Sequence, residues 1–520
     1  MKVALIYPDY SPSRHLTTPA EYGFYSEGIS SIAAVLKENS HSVALVHLTM
    51  VPTEEYFVET VRAADPDIVG FSSRTTIFDE VKRLGGYVHN AVGVPVVVGG
   101  VHPTIAPELV AEAPEVDFTC VGEGEMPFLE LCDALETGRP YEGIRNLWVR
   151  DNGGTTKNPV RPAVENLDEL PFPDYDIYDE NILYSIGIHT GPVMLSRGCP
   201  YMCTYCCNHR MRDAYPNRRR YARFRSPANA IKYLRNLLKR FPKTKYINFL
   251  DNILPLYNDW FLEFADLYKG EIGLPYACRH RSNLVNEDNV SKLAESGCYL
   301  IHFGIESGNE EIRKQILNRK TSQKQIERAF ALCRDYGIST LTYNMVGLPH
   351  ENKRKFLDTV KLNARIKPNR MVLSVFYPYP HTVLNDLAAE EGILAEDFDY
   401  ESESYLEQPD FPVAQVNFCH RYFRVAVRWY MLLGRLSLPG RIVAAFTDFL
   451  YSTPYLPHKL LVAFADLAGG AYESFKRFVR RRTPGVYLWL RDKIVRRGRA
   501  RVETKSEAKP IETEEATPIP

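Results

Sequence analysis

The sequence predicts an α/β protein in three parts: an N-terminal doubly wound parallel sheet, a partial βα barrel, and a helical C-terminal region. Short apolar runs alternate with helical patterns over roughly the first 140 residues, resume with a different period after residue 190, and give way to mostly helical sequence near 390. Between the two alternating regions lies a Pro- and Asp-rich stretch that breaks the pattern.

The first runs are KVALIYP (2–8), SVALVHL (42–48), DIVGFSS (67–73), VPVVVGG (94–100) and VDFTCVG (116–122). They are almost continuously apolar, as strands buried on both faces must be. Helical stretches such as 28–38 and 76–91 separate them. Five βα units of this kind predict an open parallel sheet over residues 1–140, with its ligand beyond the carboxyl ends of the strands. Residues 141–190 read as a hairpin around Asn152-Gly153-Gly154 and then a connector, LPFPDYDIYDE. From 191 to 390, apolar runs at 193–197, 246–250, 274–278, 299–304, 340–346 and 371–376 each precede a helical pattern. Ser226-Pro227 offers an N-cap and first-turn pair for one of those helices. Six such units fit a partial or full βα (TIM-like) barrel, whose chemistry belongs at the C-terminal ends of its strands. Residues 391–501 read as helical and 502–520, rich in Glu, Lys, Thr and Pro, as a disordered tail.

The formal net charge of -1 gives no reason to expect a nucleic-acid partner. Met1–Tyr7 runs directly into the first strand without an export signal, and no stretch approaches the ~18 apolar residues of a membrane span. Of the ten cysteines, Cys199, Cys203, Cys206 and Cys207 fall within nine positions while the others are scattered, which is not a disulfide framework. The group reads as metal ligation in a reducing cytoplasm.

The run VMLSR (193–197) passes straight into GCPYMCTYCCN, giving C-x3-C-x2-C. Three thiolates on a tight loop suit three corners of a 4Fe-4S cluster and leave one iron open. A structural zinc site usually needs a second cysteine pair, which is missing, and Cys207 is too close to Cys206 to reach the same metal easily. Buried free thiols are the remaining alternative.

The loop resembles the signature of the radical S-adenosylmethionine superfamily, C-x3-C-x-aromatic-C, with Tyr205 as the aromatic residue. The resemblance implies that Cys199, Cys203 and Cys206 hold the cluster, that S-adenosylmethionine binds its open iron, and that electron transfer yields a 5′-deoxyadenosyl radical. Further segments are similar to the family in the same order. INFLDN places Asp251 and Asn252 near the methionine amine, and Arg279 and Arg281 follow the third strand. GCYLIHFGIESG places Glu306 and Ser307 near the ribose, and TYNMVGLPHE, with Gly347, lies beside the adenine. FYPYPHT matches a common sixth-strand ending, with His381 where Gly is more usual.

The first unit resembles the Rossmann-like cobalamin-binding domain of one branch of that superfamily. Its marks are GGVHPT, with Gly99, Gly100 and His102, and CVGEGE, with Gly122, Glu123 and Gly124. Glycines there let backbone approach a bulky planar ligand. Ser72, Ser73 and Thr75 are placed to hydrogen-bond its amide arms. The histidine motif that ligates cobalt in many cobalamin proteins is absent, so His102 is expected to be structural or to contact the tail. Without the resemblance, such a sheet would suit a nucleotide or no ligand.

The resemblance implies an enzyme that methylates an unactivated carbon of a small-molecule or lipid-like metabolite. A radical cyclase or oxidoreductase of the anaerobic magnesium-protoporphyrin type is the alternative within enzymes, and an iron–sulfur or cobalamin carrier the alternative outside them. A low-potential electron donor such as flavodoxin or ferredoxin is implied. Lys476 to Arg501 carries eleven Lys/Arg against one Asp after an apolar, interrupted stretch. That pattern fits a helical cap with a solvated basic face, or a peripheral contact at the inner membrane surface of an otherwise cytoplasmic protein.

Overall fold

A computed structural model describes residues 1–10, 22–151, 154–395, 404–453 and 456–467. The first sheet is built from β1 (Lys2–Pro8), β2 (Ser42–Leu48), β3 (Ile68–Ser72), β4 (Val96–Gly99), β5 (Phe118–Cys120), β6 (Leu147–Asp151) and β7 (Gly154–Lys157), in the order β2-β1-β3-β4-β5-β6-β7. Strands β1 to β5 are parallel. Successive residues of β1 feed two cores: Ala4 and Ile6 join Val46, Phe57 and Val69, while Val3 and Leu5 join Ile29, Leu36 and Phe128. This double burial is what the unbroken apolar runs required. The strand order reverses between β1 and β3, which opens a crevice at their carboxyl ends.

The hairpin expected in the connector is part of this sheet. Strand β6 pairs antiparallel with β5, and β7 with β6. Leu147 and Val149 are buried in the same core as Phe118, so the apolar side of the hairpin has a reason to join. The alternation that marks β6 in LWVRD states that one face is covered but not by which strand.

The second sheet contains β8 (Thr190–Val193), β11 (Tyr246–Phe249), β12 (Tyr276–His280), β13 (Cys298–Glu306), β14 (Ser339–Val346) and β15 (Arg370–Val375), side by side and parallel. Among the described residues β8 and β15 are edges, so the barrel is partial. Its helices cover one face, with Leu234, Leu237, Phe261, Phe264 and Phe330 in one core with Ile247, Phe249 and Phe303. The helix Pro227–Arg240 starts as expected: Ser226 Oγ accepts the Asn229 N–H at 3.3 Å and Pro227 occupies the first turn.

One boundary differs from expectation. The run 193–197 does not continue as one strand; β9 (Ser196–Arg197) leaves the sheet and pairs antiparallel with β10 (Arg223–Phe224). Asp251 accepts the Leu195 N–H at 3.0 Å and bonds Ser196 Oγ, drawing the chain away just before the cysteines.

At the far edge of β15, helices Val413–Leu433 and Leu438–Ser452 pack on helix Lys353–Ile366 around Phe356, Val360, Phe423 and Val427. No helix among the described residues is long and apolar enough to cross a membrane. The basic segment Lys476 to Arg501 and the tail 502–520 lie outside the described residues.

Candidate active site

The cysteine loop begins at Gly198, whose φ is +84°. A Cβ there would sit 2.2 Å from the Tyr221 carbonyl oxygen, so only glycine lets β9 turn into the loop beneath β10. Further on, Thr204 Oγ1 donates to the Ile316 carbonyl, the Leu384 N–H donates to the Thr204 carbonyl at 3.2 Å, and Asn318 Nδ2 donates to the Met202 carbonyl at 2.8 Å. The loop is thus tied to the turn after β13 and to the segment after β15.

Cys203 is buried, Cys199, Cys206 and Cys207 are half-buried, and all four are free thiols. Two buried guanidinium groups face Cys203 Sγ: Arg281 Nη1 at 3.4 Å and Arg319 Nη1 at 3.8 Å. Arg281 also stacks over the Tyr201 ring at 3.7 Å. Cys203 beside two buried cations, with the half-buried Cys199 and Cys206 on the same loop, supplies a thiol donor set that fits a negatively charged 4Fe-4S cluster. Arg319 was not singled out in the sequence. It lies 116 residues from Cys203, and nothing in NRK marks it apart from a surface pair.

The remaining barrel positions fall into two groups. Tyr205, Glu306 and Arg319 form a connected cluster: Tyr205 Oη donates to Glu306 Oε1 at 3.1 Å, and Arg319 Nη1 donates to Tyr205 Oη at 3.0 Å. Burial raises the Glu306 carboxyl, with Arg319 opposing. Glu306 has φ +65° at the end of β13, where the register with β14 shifts. Asn252 lies on a cavity wall and donates to the Gly198 carbonyl at 3.2 Å. Arg279 reaches back to the Phe249 carbonyl at 3.4 Å. Gly347, at φ +80°, is held by Glu351, whose Oε2 accepts the Gly347 and Leu348 N–H groups at 2.9 and 3.3 Å. His381 adopts φ +57°, the conformation that makes glycine usual there.

Asp251 and Ser307 form the second group, being fully enclosed. Asp251 serves the backbone that leads to the cysteines, and burial lifts its carboxyl to about 6. Ser307 accepts the Asn309 N–H at 3.2 Å, and its carbonyl accepts from the buried Arg313 at 2.7 Å.

The first sheet's loops meet the cysteine loop across a cavity of about 530 Å³. Its walls include Ser72, Ser73, Gly99, Gly100, Gly122, Glu123 and Gly124 on one side, and Gly198, Cys207, Asn208 and Asn252 on the other. Thr104 joins two of these loops, donating to the Gly100 carbonyl at 2.7 Å and accepting the Gly122 N–H at 3.0 Å. A wide cavity walled by glycine backbone fits a bulky planar ligand such as cobalamin. Thr75 and His102 lie behind that wall: His102 Nδ1 is 3.2 Å from Thr75 Oγ1, and burial pushes the imidazole down to about 4.

The glycines also serve the packing of the loops themselves. A Cβ at Gly100 would lie 2.7 Å from the Ser73 carbonyl oxygen, and one at Gly122 would lie 2.8 Å from Tyr215 Oη. Their φ values are +110° and +91°. These residues let loops pack on protein as much as on a ligand. Gly28 is the one that faces open space: it lines the cavity, and a Cβ there would meet nothing within 4 Å.

Glu123, on the cavity wall, is engaged by two arginines. Arg197 Nη1 binds Glu123 Oε1 at 3.1 Å and Arg223 Nη2 binds it at 3.0 Å, while Arg197 Nη2 binds Glu125 Oε1 at 2.5 Å. Ser31 donates to Glu125 at 2.7 Å. Burial would raise the Glu125 carboxyl, but Arg197 holds it below its ordinary range. Arg197 immediately precedes Gly198 and the cysteines, so this cluster ties the first sheet's loops to the cysteine loop. Removing one member of a buried ionic cluster leaves the others uncompensated. Arg197→Met is therefore expected to cost about 3 kcal/mol in denaturant unfolding; an unchanged midpoint would show that the cluster contributes nothing.

Residues 193–362 match the Radical SAM superfamily, and residues 14–132 match the B12 binding domain. An uncharacterized methyltransferase of Pyrococcus horikoshii is 30% identical over 371 residues, covering 71% of this chain and 79% of that protein. The anaerobic magnesium-protoporphyrin IX monomethyl ester cyclase of Rubrivivax gelatinosus is 24% identical over 421 residues, covering 78% and 73%. In fold, the chain is similar to the radical S-adenosylmethionine methyltransferase TsrM from Kitasatospora setae, solved with cobalamin and a [4Fe-4S] cluster (TM-score 0.61, 16% identity, 75% of each chain). It is also similar to the cobalamin-dependent S-adenosylmethionine radical enzyme OxsB (TM-score 0.63, 16% identity, 86% of this chain and 71% of that one).

Proposed function

The chain belongs to the radical S-adenosylmethionine superfamily, in the branch with a B12 binding domain, and from this premise we propose that it methylates an unactivated carbon of a small-molecule or lipid-like metabolite. The observation that supports the reading is the shared cavity, which the first sheet's glycine loops and the cysteine loop wall together. Two cofactors placed at its opposite sides would face a common space.

When bound, the cluster with S-adenosylmethionine supplies a carbon-centred radical and cobalamin supplies a methyl group. Cys199, Cys203 and Cys206 would hold the cluster, and Arg281 and Arg319 would offset its negative charge from the buried side. Tyr205 and Arg319 orient Glu306 at the end of β13, beside the cysteines, where a ribose hydroxyl is expected. Asn252 is the member of the Asp251-Asn252 pair open to the cavity, so it is the one placed to meet a ligand. The Arg197 cluster keeps the two walls in register. One-electron supply would come from a low-potential donor such as a flavodoxin or ferredoxin.

Similarity to the magnesium-protoporphyrin cyclase favours a second reading, ring closure or oxidation without methyl transfer. Product mass separates the two. Anaerobically reconstituted protein incubated with cell extract, cobalamin, reductant and S-adenosylmethionine is expected to yield a product heavier by one methyl group, together with S-adenosylhomocysteine. A product that has lost hydrogen and gained no carbon would overturn methyl transfer in favour of the cyclase reading.

A further inference from the structure

Helix Leu438–Ser452 is committed on one face and bare on the other. On the committed face, Tyr451 is buried with its hydroxyl 3.3 Å from Cys419 Sγ, and Asp448 pairs with Lys361 at 2.5 Å. On the bare face stand Leu438, Ile442, Phe446 and Phe449, exposed by 67%, 65%, 60% and 69%. Their spacing of four, four and three residues sets them in one stripe.

The neighbouring elements continue it. Helix Val413–Leu433 exposes Val425, Trp429 and Leu432 at the same kind of spacing. Trp429 Nε1 donates to Thr447 Oγ1 at 3.2 Å, so this exposed ring lies where the two helices meet. The helical residues 458–467 expose Leu460, Phe464 and Leu467. Ten large apolar side chains exposed on three neighbouring elements mark an interaction surface rather than the usual scatter of exposed residues.

Charge selects the occupant. Residues 413–467 carry six Lys/Arg (Arg421, Arg424, Arg428, Arg435, Arg441 and Lys459) against two Asp. Both acids are already paired, Asp448 with Lys361 and Asp466 with Arg421 at 2.7 Å, so Arg421 is committed and the positive excess rests on the other five. The chain beyond the described residues adds eleven Lys/Arg and one Asp between 476 and 501. A second copy would bring the same positive charge to the contact, and so would the chain's own basic segment. An anionic, apolar surface matches both features.

We propose that this face docks on an anionic lipid bilayer, its apolar stripe entering the headgroup boundary and its Lys and Arg residues meeting the lipid phosphates. Basic residues near such a surface are drawn to the lipid phosphates, and buried apolar side chains add to that attraction. The contact is peripheral and does not depend on methyl transfer being the reaction.

The test uses the full-length, cluster-reconstituted protein and vesicles of equal parts phosphatidylglycerol and phosphatidylcholine. Co-sedimentation is expected at low salt, at least about tenfold weaker on pure phosphatidylcholine, and lost as salt shortens the Debye length to about 3 Å. The triple variant I442S/F446S/F449S is expected to weaken binding by at least about tenfold, with iron content and thermal transition unchanged because those side chains are exposed. Three results would each overturn the proposal. The first is indifference of the wild type to anionic vesicles at low salt. The second is wild-type binding by the triple variant. The third is a wild-type dimer that the triple variant converts to monomer without any vesicle binding, which would assign the face to a second copy. Product mass and iron content are read separately, so failure here is distinguishable from failure of the reaction assignment.

Discussion

Replacing Cys199, Cys203 and Cys206 together by Ala is expected to remove the iron and sulfide, about four of each, from anaerobically reconstituted protein. Cys207→Ala is expected to keep them. The contrast follows from where the loop sends its side chains. Cys203 points into a buried corner against Arg281 and Arg319, so at least one ligand position is enclosed and positively charged before any metal arrives. Cys207 begins the helix Asn208–Asp213 and lies on the cavity wall. A corner of a cubane takes one thiolate, and the C-x3-C-x2-C spacing assigns it to Cys206 and leaves Cys207 over. Iron and sulfide analysis with the visible absorbance of the cluster reads both variants directly. Loss of iron from Cys207→Ala alone would reassign the third ligand.

What the sequence disclosed and what it hid divide along sequence distance. The cysteine loop is written in nine consecutive positions, and each apolar run in five to seven, so local pattern was enough to place them. His381 was legible as an oddity in the same way, and the backbone there does adopt the conformation that glycine would. The charged partners were not legible. Arg319 meets Cys203 across 116 residues and Arg197 meets Glu125 across 72, and neither has a local signature. Long-range pairing also hid the hairpin's place at the edge of the first sheet.

The structural work of two acids was hidden for a different reason. Asp251 and Glu123 sit in segments that resemble ligand-binding ones, and both are acids near glycine or at a strand end. In the structure Asp251 steadies the chain that enters the cysteine loop, and Glu123 joins the two halves of the molecule through Arg197 and Arg223. A short motif records that a polar group is needed at a position. It does not record whether the need is a ligand's or the fold's.

Gly28→Trp is expected to lower cobalamin uptake by at least about tenfold, the loss of ~1.4 kcal/mol or more in binding. Gly28 lies in the first turn of helix Glu27–Glu38, on the cavity wall, with open space where its side chain would begin. A bulky indole there occupies volume that a planar ligand needs, while the helix itself accepts any L-residue. Gly28→Ala should therefore retain uptake and raise stability by about 0.5–1 kcal/mol, since alanine favours a helix over glycine. Gly100→Ala is the informative opposite. At φ +110° and 2.7 Å from the Ser73 carbonyl, its methyl group strains the loop itself, so lost uptake should come with a lowered thermal transition. Cobalamin retained after anaerobic reconstitution and gel filtration is read by its absorbance, and the cluster content of Gly28→Trp should match the wild type. His102 lies behind the wall against Thr75, so the bound cofactor is expected to show cobalt free of histidine, unchanged in His102→Ala. Full cobalamin occupancy in Gly28→Trp would mean that the ligand lies elsewhere than in the shared cavity.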